Sequence, residues 1–301
     1  MKLLVDGDIV VYRAGFAVDQ TLYEVYVDEE SATPDFSSVY MKDVKKWLEE
    51  NNVSNYTLSR SPAQGSVAAA LAGARDILYG MYEKFKPDEM RVFLTGEGNF
   101  REDIATYKKY KGNRDTARRP LFYHEIKEYL VKHHDAEIVD GMEADDALGI
   151  YAMQDLQNSV ICSIDKDLMQ IPATHYNWVK DDLKAVSYTE AAHTFYKQCL
   201  TGDRSDNIYG IHRVGDKTAE KLLGNDPLKY WDNIVEAYNT LFVQRLPDDI
   251  VYDGSKLNYT HWADPRIVVS VTPEEYAQEV AQLVYIRRGD NDEWTRPPLT
   301  L

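Results

Sequence analysis

The feature that most constrains this chain is a set of short apolar runs, each closely followed by acidic residues. The runs are Leu3–Val5, Arg91–Leu94, Ala136–Val139 and Val160–Ile164. Asp6 closes the first run, and Asp165 and Asp167 follow the last. Such runs are typical of buried strands in a parallel sheet, whose carboxyl ends meet at one edge. The pattern therefore predicts that several carboxylates converge at that edge.

Helical periodicity lies between these runs. Apolar residues recur every three or four positions across residues 64–85 and 122–133, which predicts two amphipathic helices. Strands that alternate with helices favour an α/β fold with a largely parallel central sheet. The less regular pattern of residues 19–60 predicts a strand pair near Leu22–Val27 and a helix near 39–50. From about residue 189 the pattern is mostly helical, and residues 286–301 are expected to form a tail.

Taken alone, the formal net charge of −16 argues against nucleic-acid binding. One segment departs from this balance, because Asp115 is the only acid between Lys108 and Arg119. Its basic residues are Lys108, Lys109, Lys111, Arg114, Arg118 and Arg119. A concentrated basic segment in an acidic protein can still bind phosphates, and bound metal ions would offset part of the negative charge.

The length of 301 residues suggests one large domain or two smaller ones. No apolar run approaches the roughly 18–20 residues that span a bilayer. Asp6 and Asp8 interrupt the apolar N-terminus, which is unlike a secretory signal. The two cysteines, Cys162 and Cys199, lack the spacing of a zinc site. We expect a reduced, cytoplasmic protein without membrane association.

Two further acidic groups extend the set at the strand ends. Glu143, Asp145 and Asp146 lie in Gly-Met-Glu-Ala-Asp-Asp-Ala-Leu-Gly, and Asp203 and Asp206 lie in Thr-Gly-Asp-Arg-Ser-Asp-Asn. Convergent carboxylates raise one another's pKa, and hard divalent cations relieve the repulsion. An all-oxygen site suits two Mg²⁺ or Mn²⁺ ions.

Two of the acidic groups also have a purely structural explanation. Glu143 and Asp146 fit a helix cap, and Asp165 with Asp167 fits a turn. Their recurrence at the ends of several strands favours the metal site over these alternatives.

Five segments, in order, resemble the 5′-nuclease family, which includes phage 5′→3′ exonucleases, flap endonucleases and the nuclease domain of DNA polymerase I. The segments are VDGDIVVYRA, FREDIATYKKYKGNRD, GMEADDALG, SIDKDLMQ and TGDRSDNIYGIHRVGDKTAEKLL. The resemblance implies a PIN-like or resolvase-like, mostly parallel sheet flanked by helices, with a helical arch near 100–120. It also implies a helix-three-turn-helix near 204–224. The implied division is a nuclease core, 1–188, and a helical duplex-binding region, 189–301.

The resemblance also implies roles for individual residues. Lys111 and Arg114 would contact the scissile phosphate, and Tyr110 would stack near the terminal base. Arg101 would support the site or meet phosphate. The implied ligands of the first metal ion are Asp6, Glu143, Asp145, Asp146 and Asp165, and those of the second are Asp165, Asp167, Asp203 and Asp206. The other implied DNA contacts are Lys108, Lys109, Arg118, Arg119, Arg213, Gly215, Lys217 and Thr218.

The implied activity is Mg²⁺-dependent 5′→3′ exonuclease and flap endonuclease cleavage, in phage DNA replication inside an infected bacterium. The implied partner is DNA with a free 5′ end, flap or nick, or an RNA:DNA hybrid, bound by a monomer. Taken alone, the basic segment is also consistent with a solvated helix, and the glycine-rich turn with ordinary packing. Two other functions stay open: a structure-specific DNA-binding protein without catalysis, and a PIN-type ribonuclease.

Two positions depart from the family pattern. Gly96 stands where the family has an Asp, and the neighbouring Glu97 is the candidate to replace it as a metal ligand. Arg213 stands where the family usually has Gly. In the family a K⁺ ion often bridges this turn and a phosphate. Arg213 argues against K⁺ here and favours a direct phosphate contact.

Overall fold

A computed structural model describes residues 1–28, 30–114 and 118–295 of the chain. The strands within these residues are β1 (Lys2–Asp6), β2 (Asp19–Tyr26), β3 (Phe36–Ser38), β4 (Thr57–Gln64), β5 (Glu89–Thr95), β6 (Glu137–Val139), β7 (Ser159–Cys162), β8 (Thr174–Asn177), β9 (Asp182–Ala185), β10 (Gly202–Asp203), β11 (Ile208–Tyr209), β12 (Val251–Tyr252), β13 (Leu257–Thr260) and β14 (Val268–Val271). The α-helices are α1 (Gly7–Val18), α2 (Met41–Glu50), α3 (Val67–Phe85), α4 (Arg101–Ile104), α5 (Tyr123–His134), α6 (Ala144–Gln154), α7 (Tyr188–Thr201), α8 (Asp216–Leu223), α9 (Tyr230–Ala237) and α10 (Pro273–Val284).

The chain divides into two compact units. The first comprises the described parts of Met1–Gly7, Pro87–Ala117 and Ala136–Leu301, and the second comprises those of Asp8–Lys86 and Arg118–Asp135. The boundary predicted at 188–189 lies inside the first unit. The reason is that Ala105, Tyr107 and Tyr110 share one apolar core with residues from α7 to α10.

The first unit contains a six-stranded sheet in the order β6-β5-β1-β7-β8-β9. All neighbouring strands run parallel except β8 and β9, which are antiparallel. Val5 of β1 is paired with Val92 on one side and with Cys162 on the other. Leu3, Leu4 and Val5 are at most 1% exposed, as expected for a strand covered on both faces. The predicted α/β fold with a mostly parallel sheet is confirmed.

The second unit contains a separate antiparallel sheet in the order β3-β2-β4. Helix α2 packs on this sheet through Val44 and Leu48, which contact Val25. Helix α3 begins where the Ser66 hydroxyl accepts a hydrogen bond from the Ala69 amide at 3.1 Å. The strand pair and the helices predicted in this part of the chain are therefore present.

The region after residue 189 is mostly helical, as expected, but it also contains the antiparallel sheet β12-β13-β14, which was not predicted. A signal for it is present in the sequence. Leu257 and Tyr259 are buried while Thr260 is exposed, and an Asp253-Gly254 dipeptide lies in the turn before them. Of the predicted tail, residues 296–301 lie outside the described part of the chain.

The expected helical arch near 100–120 is not helical in the part that the structure describes, which excludes residues 115–117. Only α4 and a 3₁₀ turn at Gly112–Arg114 are helical there. The intervening backbone is instead bonded to the rest of the first unit. The Thr106 amide donates to Glu279 Oε1 at 2.8 Å, and the Lys111 amide donates to the Asp206 carbonyl at 2.9 Å. These contacts replace the hydrogen bonds that a continuous helix would make within itself.

Candidate metal centre

Several acidic residues lie at the carboxyl edge of the sheet of the first unit. Asp6 is the last residue of β1, and Asp165 follows β7, the parallel neighbour of β1. Glu143 precedes the first residue of α6, the helix that follows β6, and Asp145 lies in its first turn. Because β1, β6 and β7 all run parallel within this sheet, the four carboxylates lie at its carboxyl edge.

Asp145 lies at the centre of the first cluster. Burial raises the pKa of Asp145 well above its usual value, and the nearby charges of Asp6, Asp165 and Glu143 raise it further. Asp6 is itself only 2% exposed. This part of the chain therefore contains several carboxylates in one poorly hydrated place, as predicted from the spacing of the strands.

Ser163 joins two of these acids and was not singled out from the sequence. Its hydroxyl donates to Asp6 Oδ2 at 2.7 Å and accepts from the Asp165 amide at 3.0 Å. The signal available was its place between the apolar run of β7 and Asp165. A small hydroxyl residue there can connect the ends of β1 and β7.

Asp167 and Asp203 form a second cluster with Asp165. Burial, followed by the charges of Asp165 and Asp203, raises the pKa of Asp167 to about 7. Burial alone would raise the pKa of Asp203 too, but hydrogen bonds from Ser205 and Asp167 bring it below its usual value. The pair is thus arranged to share a proton, with Asp167 as the protonated partner.

Glu143 and Asp206 are connected by residues of the basic segment. The Tyr110 hydroxyl lies 3.2 Å from Glu143 Oε2 and 3.0 Å from Asp206 Oδ2. Lys111 Nζ is 2.5 Å from Glu143 Oε1 and 3.8 Å from Asp206 Oδ2, and Arg114 also pairs with Asp206. Burial raises the pKa of Asp206, and these two cations oppose the rise.

Tyr110 does not lie where its predicted role would require. Its side chain is 5% exposed and packs in the apolar core of the first unit, so it has no free face for a terminal base. Its hydroxyl instead holds two of the acids in place. The predicted stacking role is corrected accordingly, because a ring buried against the protein cannot also stack on nucleic acid.

Asp146 and Arg101 form a buried ion pair that stands apart from the other acids. Asp146 is fully buried, and both of its oxygens accept from the Arg101 guanidinium, at 2.7 and 2.9 Å. The amides of Glu143 and Arg287 also donate to it, at 3.1 and 3.0 Å. Arg101 further donates to the carbonyls of Leu283 and Tyr285.

This pairing corrects the prediction for Asp146 and decides between the two roles predicted for Arg101. Asp146 is not placed as a direct metal ligand, because its lone pairs are already used inside the protein. Arg101, which is 3% exposed, is not placed to reach phosphate, and it supports the site instead. Burial alone would raise the pKa of Asp146. The charge and the hydrogen bonds of Arg101 outweigh burial and keep the pKa of Asp146 below its usual value.

Gly96 has no room for a side chain. A Cβ atom at this position would lie 2.0 Å from Asp140 Oδ1 and 2.8 Å from the Val139 carbonyl oxygen. Asp140 accepts a hydrogen bond from the Glu97 amide at 2.8 Å, which fixes the carboxylate there. The Glu97 side chain is exposed, and within the described residues no hydrogen bond or ion pair joins it to the other acids.

The remaining basic residues fall in different surroundings. In the first unit Lys108 pairs with Asp249 at 2.6 Å, and the Lys109 carbonyl accepts from Asn207 at 2.9 Å. In the second unit Arg118 pairs with Asp19, and the Arg119 guanidinium lies 5.1 Å from the centre of the Tyr123 ring. The six basic residues therefore do not belong to one compact unit, because Arg118 and Arg119 lie in the second unit and the other four lie in the first.

Within residues 204–224, where the helix-three-turn-helix was predicted, the structure has the strand β11, a turn and one helix, α8, and the preceding helix α7 ends at Thr201. Gly215 precedes the first residue of α8, and Lys217 and Thr218 lie exposed in its first turn. Arg213 has a φ of 59°, in the left-handed region. A side chain costs about 1 kcal/mol in that conformation, so the turn carries strain at Arg213.

The acids fit hard divalent cations by their chemistry. Among the residues that the structure describes, they do not already form a group of three around one ion position. Their repulsion is relieved instead by the proton that Asp167 shares with Asp203 and by Lys111 against Glu143. Oxygen-only donors with raised pKa values are the set that Mg²⁺ or Mn²⁺ would stabilise by replacing those protons.

Residues 1–198 match the family described as 5′-3′ exonuclease, N-terminal resolvase-like domain. The chain belongs to this 5′-3′ exonuclease family. The match includes the whole parallel sheet and ends within α7, before Asp203 and Asp206. The resolvase-like fold inferred from the sequence is thereby confirmed.

Individual members of the family, and solved structures, are also similar to the chain. It is 33% identical to DNA polymerase I of Streptococcus pneumoniae serotype 4 over 178 residues, which cover 51% of this chain and 20% of the polymerase. It is 28% identical over 212 residues to the 5′-3′ exonuclease of Buchnera aphidicola subsp. Schizaphis graminum, covering 64% of this chain and 70% of that one. The chain thus spans about a fifth of the polymerase relatives that it matches.

Two solved structures of phage T5 proteins resemble the chain more distantly. One is T5 D15 protein co-crystallised with metal ions, with a TM-score of 0.47, 15% identity and coverage of 78% of this chain and 84% of that chain. The other is T5 5′-exonuclease with divalent zinc ions bound, with a TM-score of 0.46, 14% identity and coverage of 94% and 86%. In the described part of this chain, no helix has the length and apolar character needed to cross a membrane.

The raised pKa values predict a pH-dependent stability in metal-free protein. For Asp167 the folded state binds a proton more tightly than the unfolded state, whose Asp pKa is about 3.9. The resulting stabilisation is complete below about pH 4 and is lost as the pH rises through about 7. Thermal unfolding in EDTA should therefore show a fall in Tm from pH 5 to pH 8 that is smaller in Asp167→Asn. An identical pH profile for the variant would contradict this, and Mg²⁺ should raise the Tm of the parent at pH 8.

The buried ion pair predicts a large loss of stability for Arg101→Ala. Removal of Arg101 leaves the Asp146 charge buried without a partner, which costs about 3–5 kcal/mol. Urea unfolding measures the change. Arg114→Ala is the matched control, because Arg114 is about half exposed and its ion pair should contribute no more than about 1 kcal/mol. Equal losses of unfolding free energy in the two variants would show that burial of the Arg101–Asp146 pair does not determine its contribution to stability.

Proposed function

We propose that the protein is a divalent-metal-dependent 5′ nuclease that hydrolyses DNA phosphodiesters as a 5′→3′ exonuclease and flap endonuclease, in phage DNA replication. The observation that carries the proposal is the burial and crowding of carboxylates around Asp145 and Asp167, which together raise the pKa of both. Such crowding is unfavourable for folding, and shifted groups of this kind concentrate at catalytic sites. Membership of the 5′-3′ exonuclease family supports the same reaction.

The acids would hold two ions between them. Asp6, Glu143, Asp145 and Asp165 would hold the first, and the second would be held by Asp165, Asp167, Asp203 and Asp206. When bound, Mg²⁺ or Mn²⁺ ions supply an activated water and neutralise the charge on the leaving oxygen. Ser163 hydrogen-bonds both Asp6 and the Asp165 amide and so fixes their relative position. The Arg101–Asp146 pair fixes the first turn of α6, which carries Asp145.

Lys111 and Arg114 would bind the scissile phosphate and stabilise its developing negative charge. Both cations already lie against acids of the site, since they pair with Glu143 and Asp206. Divalent ions bound to those acids would compete with the two side chains, which would then be able to turn to phosphate. The exposed residues Lys217 and Thr218 at the start of α8 would contact the backbone of the adjoining duplex.

A structure-specific DNA-binding protein without catalysis is the second candidate. The observation that favours it is Gly96, where the Asp140 carboxylate excludes any acidic side chain. This candidate predicts binding of flap DNA with no turnover in any divalent ion. The retained pairs Asp165–Asp167 and Asp203–Asp206 argue against it, because binding alone does not need them. A ribonuclease is distinguished by the preference for RNA over DNA in the same assay.

The first test is cleavage of 5′-labelled flap and nicked duplex, with and without Mg²⁺, beside RNA of the same sequence. Asp145→Asn should reduce cleavage to background, because it removes a carboxylate that is proposed to hold the first metal ion. Its fold should be retained, since the substitution removes a source of repulsion. Asp232→Asn, an exposed acid on α9, is the matched control and should cut normally. Mg²⁺-dependent cleavage by Asp145→Asn at the parent rate would refute the assignment.

The second test concerns Lys111. Lys111→Ala should slow single-turnover cleavage by about 100- to 1,000-fold, the loss expected when one donor to a developing charge is removed. The rate is measured with enzyme in excess over labelled flap, so that product release does not contribute. Lys132→Ala, an exposed lysine on α5, serves as the control. If the single-turnover rate is unchanged in Lys111→Ala, Lys111 has no role in the chemical step.

A further inference from the structure

Glu279 on α10 is an acidic residue that belongs to neither cluster of the metal centre. Its Oε1 atom accepts hydrogen bonds from the amides of Thr106 and Tyr107, at 2.8 and 3.4 Å. Its Oε2 atom accepts from the Thr106 hydroxyl, which also lies 2.8 Å from the Tyr259 hydroxyl. One carboxylate therefore binds three donors from the two successive residues that precede Lys108.

The surroundings of Glu279 are unfavourable for a charge. Burial raises the pKa of Glu279, and the hydrogen bonds from Thr106 and Tyr107 oppose the rise. A buried carboxylate that lost these donors would be left unsatisfied, which is costly. The contact therefore fixes the backbone at Thr106, at the start of the stretch that leads to Lys111. This stretch, residues 105–111, is the Lys111 arm.

Further contacts hold the first half of the Lys111 arm. The Trp262 indole N–H donates to the Ala105 carbonyl at 2.6 Å, and the Trp262 amide donates to the Thr106 carbonyl at 3.1 Å. The Tyr107 side chain is 6% exposed, and its hydroxyl donates to Asp249. This half of the arm is therefore fixed to the C-terminal part of the first unit.

The second half of the Lys111 arm ends at the metal centre. The Asn207 side-chain amide donates to the Lys109 carbonyl at 2.9 Å, and the Lys111 amide donates to the Asp206 carbonyl at 2.9 Å. Lys111 has a φ of 54°, in the left-handed region, which a residue with a side chain adopts only where its surroundings impose it. From this position Lys111 Nζ reaches Glu143 Oε1 at 2.5 Å. The location of the ammonium group thus depends on how the arm is held.

We infer that Glu279 is a positioning residue for Lys111, because it anchors the start of the Lys111 arm. The arm has no continuous helix to hold it, so its place is set by contacts with the rest of the first unit. Without Glu279, the amides of Thr106 and Tyr107 lose their acceptor and the arm can shift. A displacement of about 1 Å at a catalytic group can cost about 100-fold in rate. The inference rests on the proposed function, since it takes Lys111 as a group that binds the scissile phosphate.

The first test is single-turnover cleavage of labelled flap by Glu279→Ala, with the dissociation constant for the same DNA measured in EDTA. The rate should fall about 10-fold, because the arm no longer holds Lys111 against the phosphate, while the dissociation constant should change less than about 2-fold. Both are measured well below the Tm of the variant. Glu236→Ala, at an exposed glutamate on α9, is the matched control and should cut at the parent rate. A parent rate in Glu279→Ala, or a loss of DNA binding alone, would overturn the inference.

A double-mutant cycle with Lys111 separates positioning from a general loss of structure. Lys111→Ala already lacks the group that Glu279 is inferred to place. In that background Glu279→Ala should therefore slow single-turnover cleavage by no more than about 2-fold. A purely structural role for Glu279 would give the same loss of about 10-fold with and without Lys111. Equal losses in the two backgrounds would contradict the positioning role.

Two conservative variants test the hydrogen bonds themselves. Glu279→Gln keeps an acceptor oxygen for the Thr106 amide and should cut within about 3-fold of the parent rate. A loss as large as that of Glu279→Ala would contradict anchoring by these hydrogen bonds. If Glu279→Ala fails to fold, Thr106→Val takes its place, since it removes the hydroxyl donor and keeps the shape of the side chain. It should slow cleavage about 3-fold, and cleavage at the parent rate would refute the inference.

Hydrogen exchange keeps failure of the inference distinct from failure of the proposed function. Without DNA, Glu279→Ala should exchange the amides of residues 105–111 about 10-fold faster than the parent protein or Glu236→Ala. A parent protein that cleaves DNA, with exchange unchanged in Glu279→Ala, would refute the inference alone. A parent protein that never cleaves DNA would refute the proposed function, and with it the role of Glu279 in the reaction. Faster exchange in Glu279→Ala would then leave only the anchoring of the arm in place.

Discussion

Electrostatic repulsion among carboxylates is the constraint on which the rest of this structure depends. A parallel sheet brings the ends of β1 and β7 together, and with them Asp6 and Asp165. The first turn of α6 adds Asp145, and the segment after α7 adds Asp203 and Asp206. A proton shared by Asp167 and Asp203, the Ser163 hydroxyl against Asp6 and the Lys111 ammonium against Glu143 make this arrangement tolerable.

The acids of the site divide into two kinds that the sequence does not distinguish. Asp145 and Asp146 are adjacent, yet burial and like charges raise the pKa of one, while an arginine lowers that of the other. Successive residues on a helix point in different directions, so one carboxylate faces the acidic edge and its neighbour faces Arg101. The ion pair also draws in the carbonyls of Leu283 and Tyr285, so the segment after α10 helps to hold the start of α6.

Local patterns predicted much of the fold and the members of the carboxylate set. Strand runs, helical periodicity and acids at strand ends are short-range signals, and the parallel-sheet rule converts them into convergence in space. The roles of Tyr110 and Asp146, and the choice between the two roles of Arg101, were not accessible in the same way. Their partners lie far along the chain, as Arg101 and Leu283 do, and whether a side chain is buried there depends on tertiary packing.

The same limit explains the segment that was expected to be a helical arch. Its basic composition is compatible with a helix, but Ala105 and Tyr107 are buried in a core built mainly by α7 to α10. The antiparallel strands β12 to β14 were missed for a different reason. Their alternation is short, and the helical pattern around them masked the Asp-Gly turn.

The contact between Gly96 and Asp140 has a consequence for how this chain can diverge from its relatives. Position 96 cannot gain a side chain by exchange at Asp140 alone, because a new Cβ would lie 2.0 Å from Asp140 Oδ1 and also 2.8 Å from the Val139 carbonyl oxygen. The second of these atoms belongs to the backbone at the end of β6. A chain with an acid at position 96 would therefore need a different path for the backbone after β6, as well as a different side chain at position 140.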